Sequence, residues 1–283
     1  VPKLDRQGTQ FVASGDLVGS IEHLASNGEN NLYALNEQSG ADAITVLDLN
    51  QTGAGWKSLP AAPKRYYDPQ SQDWMQPTDQ YAKSFADISV DKKGQVYGKL
   101  GVDGLPDSIY CFVPDSVNTP EVGSWQNLPP IPQGQWHLGA GGEAIWEAEN
   151  KYVGKAKQLT VSNDGRVVVR QSRDGVDTLY VFTPNDSSGG PDFVRAGSWE
   201  PIKPAPRVFY NGNHERKTEP GFSGDFNRHA TDQEGRLLTS WSRDGYDTIF
   251  QYDFRKKSWT DMPAIERIRY DMDADHNLVA LPP

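Results

Sequence analysis

The sequence predicts an all-β repeat fold, a β-propeller, on three observations: a recurring Trp-centred ending, a hairpin ahead of each ending, and a further strand pair ahead of each hairpin. The endings GWKSLPAAP, SWQNLPPIP, SWEPIKPAP and SWTDMPAIE set Trp56, Trp125, Trp199 and Trp259 at intervals of 69, 74 and 60 residues. The hairpins hold the apolar runs ITVLDL, SIYCFVPD, TLYVFTP and TIFQYDF, each preceded by an aspartate: Asp42, Asp107, Asp177 and Asp247. Asp-Gly or Ser-Gly turns lie just upstream and supply the positive φ angles a tight hairpin needs. The outer pairs are HLASNGENNLYAL, DISVDKKGQVYGK, LTVSNDGRVVVRQ, HATDQEGRLLTSW and YDMDADHNLVALPP. Four short strands per unit, repeated radially, describe a propeller blade.

Four units are complete and the fifth stops after its first two strands, a and b. The expected architecture is therefore a single propeller domain over residues 1–283, with five blades and the last completed by the N-terminal segment, where TQFVAS reads as a strand. Four blades with an accessory hairpin is the alternative.

The apolar strand followed by W-x-x-L-P, as in TIFQYDFRKKSWTDMP, resembles the blade ending of kelch-type propellers. The likeness covers strands c and d only, and the kelch double glycine is absent, so it implies architecture and no site residue. The DG-x-[VIL]-[YV] turn between strands a and b is similar, more loosely, to tectonin-type and tachylectin-type lectin propellers.

Composition narrows the function. Gly and Pro number 27 and 20, and aromatics reach 11%, as suits many short strands and turns. A net charge of -10 without a basic run argues against nucleic acid as a partner. No apolar stretch approaches a membrane span, so no membrane insertion is expected. A chain starting at Val1 and two acceptor sequons, Asn50-Gln51-Thr52 and Asn185-Asp186-Ser187, point to a secreted, extracellular glycoprotein. The lone Cys111, in SIYCFV, reads as a small core hydrophobe.

Aligning the units on the first apolar residue of strand b (Leu32, Val96, Val167, Leu237, Leu278) compares their inner strands. The residues eight and six places back are mostly apolar and are expected between blades: Leu24/Ser26, Ile88/Val90, Leu159/Val161, His229/Thr231 and Tyr270/Met272. Those nine, seven and five back are polar or small. The nine-back set, His23, Asp87, Gln158, Arg228 and Arg269, is expected to ring one mouth of the central channel. His23, Asp87, Arg228 and Arg269 are the candidate catalytic residues: a base, a carboxylate and two guanidinium groups suit proton abstraction from a uronic acid. Paired charges and ordered water lining the mouth is the plainer reading.

From Pro63, Pro132 and Pro206, connections of about 22 to 25 residues lead to the next strand a, beyond the usual length of about 4 to 6. They open on aromatic and polar residues that suit sugar recognition: Arg65, Tyr66, Tyr67 and Trp74; Trp136 and His137; Arg207, Phe209 and Tyr210. No cofactor is expected. Asp271, Asp273 and Asp275 could offer oxygens to a calcium ion, but the EF-hand glycine and distal glutamate are missing. The recurring aspartates ahead of strand c are expected to cap the b–c turn.

The leading functional expectation is a lectin-like protein whose partner is a glycan or polysaccharide, bound by the aromatic connections. The alternatives are a polysaccharide lyase or glycoside hydrolase with one site at the channel mouth, and a protein-interaction scaffold.

Overall fold

The computed structural model describes residues 2–4, 11–13, 21–36, 42–51, 55–78, 80–172, 176–185, 193–243, 245–264, 269–272 and 278–281, the strands before 21 and after 264 as backbone only. Among these residues every regular element is a β-strand, so no helix is long and apolar enough to cross a membrane. β1 (Pro2–Leu4) and β2 (Phe11–Ala13) pair with each other. Four four-stranded antiparallel sheets follow as blades. Blade 1 is β3 (His23–Ser26), β4 (Asn31–Asn36), β5 (Ala43–Asp48) and β6 (Lys57–Ser58), and the hairpin β7 (Tyr66–Asp68) and β8 (Asp73–Met75) leads out of it. Blade 2 is β9 (Phe85–Val90), β10 (Val96–Leu100), β11 (Ser108–Ser116) and β12 (Thr119–Asn127), followed by the hairpin β13 (Pro132–Leu138) and β14 (Ala144–Tyr152). Blade 3 is β15 (Ala156–Val161), β16 (Val167–Gln171), β17 (Thr178–Pro184) and β18 (Gly197–Ile202), followed by β19 (Pro206–Tyr210) and β20 (Arg216–Phe222). Blade 4 is β21 (Phe226–Thr231), β22 (Leu237–Arg243), β23 (Tyr246–Asp253) and β24 (Ser258–Asp261); β25 (Arg269–Met272) and β26 (Leu278–Leu281) form a last two-stranded sheet.

The architecture is thus the four-blade form of the propeller. The fifth unit keeps its two strands, and the N-terminal strands, expected to complete it, pair with one another. The inner-strand register holds in all five units, with Ser26, Val90, Val161, Thr231 and Met272 facing the first residue of strand b. Alternation then sends strand b and c side chains to opposite blade faces. One core lies between blades 1 and 2 (Tyr33, Leu35, Phe112), the next between 2 and 3 (Tyr97, Ile109, Phe182), the third between 3 and 4 (Val168, Leu179, Phe250). Strand a follows this pattern in blades 2 and 3, where Ile88, Val90, Leu159 and Val161 are buried, but Leu24 in blade 1 is 59% exposed.

Three side-chain devices stitch the seams between blades 1 and 2 and between 2 and 3, and the first two of them recur between 3 and 4. The recurring aspartates reach across it: Asp42 accepts the backbone N–H of Phe85 (2.5 Å), Asp107 that of Ala156 (2.7 Å) and Asp177 that of Phe226 (2.9 Å). Each target opens strand a of the following blade, so these carboxylates are more than the turn caps the sequence suggests. They serve the b–c turn too, since Asp177 also accepts the Ser172 hydroxyl. The strand-d tryptophans donate Nε1–H to the preceding blade: Trp125 to Pro60 O (2.8 Å), Trp199 to Pro129 O (2.8 Å) and Trp259 to Lys203 O (2.6 Å). Strand-c tyrosines grip the incoming connection, Tyr110 accepting the Arg65 N–H (2.6 Å) and Tyr180 that of Gly134 (3.2 Å). Hydrogen bonds to a buried charge contribute about 1.5–3 kcal/mol each, so the aspartates are the strongest of the three.

The five-back residues lie at the a–b turn rather than in the channel. Asn27 Oδ1 accepts three successive N–H groups from Glu29, Asn30 and Asn31, and Asp91 and Asp232 cap their turns in the same way. Cys111 is buried as expected but not inert packing: Arg195 Nη1 donates to its Sγ at 3.2 Å, and burial pushes the thiol up to about 11. In blades 2 and 3 the position two places before the strand-d tryptophan has no room for a side chain. A Cβ on Gly123 would lie 2.2 Å from Val113 O, and one on Gly197 (φ +154°) 2.3 Å from the Phe182 ring.

Candidate functional site at the channel mouth

Strands β3, β9, β15 and β21 are successive neighbours, and between them opens a cavity of about 660 Å³. His23, Asp87, Gln158 and Arg228 all line it, together with Lys157 and His229. The nine-back ring therefore assembles in four of its five members. Arg269 belongs to the backbone of β25, and its side chain lies outside the described residues.

The ring residues are unequally committed. Asp87 Oδ2 accepts the Leu159 N–H at 3.2 Å, tying β9 to β15, while Oδ1 lies 3.7 Å from His23 Nδ1. Burial pushes the Asp87 carboxyl above its ordinary value; the Leu159 hydrogen bond, His23 and Lys99 work against that rise. Gln158 clamps one peptide of the next strand, accepting the His229 N–H (3.2 Å) and donating to the His229 carbonyl (2.9 Å). Ser89 and Thr231 add similar strand-to-strand bonds. Half of the ring is thus scaffold.

The other half is open for business with a ligand in chemical terms. Arg228 and Lys157 are exposed and carry no side-chain hydrogen bond or ion pair among the described residues. His23, half-buried, presents a base whose Nδ1 lies towards a carboxylate, with no partner for Nε2 among the described residues. His229 is different. It sits where the other blades place Leu24, Ile88 and Leu159, is 4% exposed, and neither ring nitrogen has a hydrogen-bond partner. Desolvation lowers its pKa to about 4, with Arg170 adding to the effect and the Val168 backbone opposing it, so the imidazole is neutral at pH 7. Sequence reading placed His229 between blades and passed over Lys157, which stands one residue further back than the ring in the same register.

The aromatic connections are hairpins rather than loops, and most of their singled-out side chains are spent on one another. Arg65 is buried, donating to Trp125 O (2.9 Å) and Gln76 Oε1 (2.8 Å) and lying over Phe193 at 4.4 Å. Tyr67 packs edge-on against Trp74 and Tyr152 and shares a 3.3 Å hydrogen bond with the Tyr152 hydroxyl. Trp136 leans on Trp146, and His137 faces Glu147 at 2.8 Å. Arg207 pairs with Glu219 (3.5 Å), Arg243 covers the Phe209 ring at 4.2 Å, and Tyr210 donates to Asp261 (3.2 Å), which Arg216 also holds. Among the described residues, Tyr66 is half-exposed and has no side-chain partner. These contacts leave little flat ring face for a sugar.

Among the described residues no three His, Cys, Asp or Glu side chains converge as a metal group. Asp273 and Asp275 lie outside those residues, and Asp271 is described as backbone in β25. In register, Asp273 corresponds to the turn caps Asn27, Asp91, Ser162 and Asp232, which gives it a structural counterpart in every other unit.

No family model matches the chain, and no curated protein matches it. Similar solved structures include a protein from Lactobacillus plantarum, at 12% identity over 99% of this chain and 75% of that one, with a TM-score of 0.42. The tricorn protease matches at 9% identity over 94% of this chain and 30% of its own (TM-score 0.32). The Pyrococcus horikoshii acylaminoacyl peptidase matches at 10% over 92% and 48% (TM-score 0.29). At these identities none of them assigns a role to a residue here, and the kelch-like and tectonin-like resemblances extend no further than the blade.

Proposed function

We propose that this protein is a secreted, carbohydrate-binding propeller that takes an acidic sugar at the mouth of its central channel. One observation carries the reading: Arg228 and Lys157 stand unpaired on the wall of a 660 Å³ polar cavity, in a chain of net charge -10. Most other arginines on this protein have a carboxylate, a ring or a carbonyl to satisfy them; these two cations face open space shared with His23, Ser89 and Thr160. A carboxylate on the ligand completes them, and the hydroxyl and amide groups beside them suit sugar hydroxyls. This moves the expected binding site from the aromatic connections to the channel.

A glycan array tests the class. Uronate-bearing glycans should give signal, lost in Arg228→Ala and kept in Trp136→Ala, Tyr67→Ala and Tyr210→Ala; silence across the array, or signal lost only in the aromatic variants, contradicts it. The His23–Asp87 pair supports a second reading, a uronate lyase. His23 would take the proton beside the uronate carboxylate, the electron pair would form the C=C bond, and the glycosidic C–O bond would break with protonation of the leaving oxygen. Arg228 would stabilise the charge that builds on the carboxylate. Ultraviolet absorbance from an unsaturated product, abolished in His23→Ala, separates this enzyme from a pure binder.

A further inference from the structure

We infer that the ligand is an extended acidic oligosaccharide rather than a single sugar, and that it leaves the channel over the rim of blade 2 along a track of unpaired lysines. The inference rests on the channel reading above and adds the substrate's length and path.

Two cavities flank the b–c loop of blade 2. One of about 600 Å³ is lined by Lys64, Gln80, Tyr81, Lys83 and Asp103; the other, of about 490 Å³, by Gln72, Leu105, Asn150, Lys151, Tyr152 and Lys155. Their tyrosines share one repeat position, Tyr81 and Tyr152 each standing 15 residues before the first residue of strand b, Val96 and Val167, while their lysines stand at different positions. Each combines a half-buried tyrosine, a side-chain amide and two lysines. The Tyr81 ring and hydroxyl and the side-chain amides are groups for the sugar, with the lysines as cations for its acid groups; the Tyr152 hydroxyl is shared with Tyr67. Blade 4 breaks the pattern, carrying Phe222, Gly224 and Asp225 there, so the track is confined to the approaches of blades 2 and 3.

Lys83, Lys151 and Lys155 are exposed and make no hydrogen bond or ion pair among the described residues, and Lys64 reaches only the Gln80 amide at 3.3 Å. Several other surface lysines are paired, as with Lys57–Glu121 at 2.7 Å and Lys217–Glu215 at 2.9 Å. The track also joins the channel. Lys155 of the second cavity and Lys157 of the channel wall are two residues apart at the entry to β15, about 7 Å at most along the backbone, where the pairing with β16 shifts register between Ala156 and Gln158. A chain seated on Arg228 and Lys157 therefore meets Lys155 next. The cations are few, spaced and set beside tyrosine and amides, a setting that suits the hydroxyls and carboxylates of a uronate chain.

Calorimetric titration of galacturonic acid and its di-, tri- and hexamer into the full chain tests this. The wild type should bind the hexamer at least about tenfold more tightly than the monomer. The variant Lys83→Gln/Lys151→Gln/Lys155→Gln should keep the monomer affinity and lose that gain, while Arg228→Gln should weaken every length. A triple variant with an unchanged length dependence overturns the track, as does equal wild-type affinity for all lengths or equal binding of a single-stranded oligonucleotide. Loss of hexamer binding in the triple variant with no effect of Arg228→Gln sinks the channel reading and leaves the track standing.

Discussion

The seams inside the blade stack and the outward faces of blades 1 and 4 are built from the same sequence devices and end in opposite states. Trp125 and Trp199 are 7% and 8% exposed, with Nε1 bonded to the preceding blade; Trp56, at the same repeat position, is 45% exposed. Asp107 and Asp177 are buried on the first N–H of the next blade, whereas Asp247 is exposed and bonded by the Ser242 hydroxyl across its own turn. A tryptophan or aspartate stabilises this fold only through the blade beside it. The repeat supplies the group, and the neighbour decides what it is worth.

The widest gap should lie between aspartates. Asp177→Ala strands the Arg170 guanidinium and the Phe226 N–H in a buried seam, and should cost about 3–5 kcal/mol in denaturant unfolding. Asp247→Ala should cost within about 0.5 kcal/mol. Equal losses at the two sites would break the comparison.

Acid should find the blade 3–4 seam next, through His229. Its folded pKa, about 4, lies below the ordinary 6.5, so the unfolded chain binds the proton first. The stability tied to neutral His229 is complete above about pH 6.5, falls as pH drops towards 4, and amounts to at most about 3 kcal/mol. His229→Leu, which copies the residue of blades 1 and 3, should lose that part of the pH dependence. Unfolding of both proteins at pH 7.5, 5.5 and 4 gives the answer, and parallel curves would show that His229 charges freely in the fold.

The smallest effect isolates one hydrogen bond. Trp199→Phe keeps most of the packing on Phe182 and removes only the donor to Pro129 O, for about 1 kcal/mol. Trp56→Phe should be close to neutral, and a loss as large as that of Trp199→Phe would mean that Trp56 has a partner of equal strength.

Much of the fold was legible in the sequence because it is local. Asp-Gly turns, period-two strands and one aligned apolar residue per unit fix the strand pairing, and the same count brings His23, Asp87, Gln158 and Arg228 to one mouth. What stayed hidden acts across long separations. Nothing near Asp42 or Asp177 marks Phe85 or Phe226 as the partner, 43 and 49 residues away. The connections after Pro63, Pro132 and Pro206 read as loops because proline and glycine interrupt them, yet they fold as hairpins whose aromatics pack inward. The unpaired state of Arg228 and Lys157 was equally invisible, since a cation's partner is set by blades that meet only in the folded chain.

The proposed channel site stands on Arg228 and Lys157, two cations without a partner among the described residues. Titrating trigalacturonic acid against the neutral trigalactose, with wild type and Arg228→Gln/Lys157→Gln in parallel, tests it most directly. The account predicts wild-type heat for the acidic trimer alone and at least a tenfold weaker Kd in the double variant. Equal binding of the neutral trimer, or an unchanged Kd in the variant, would contradict it.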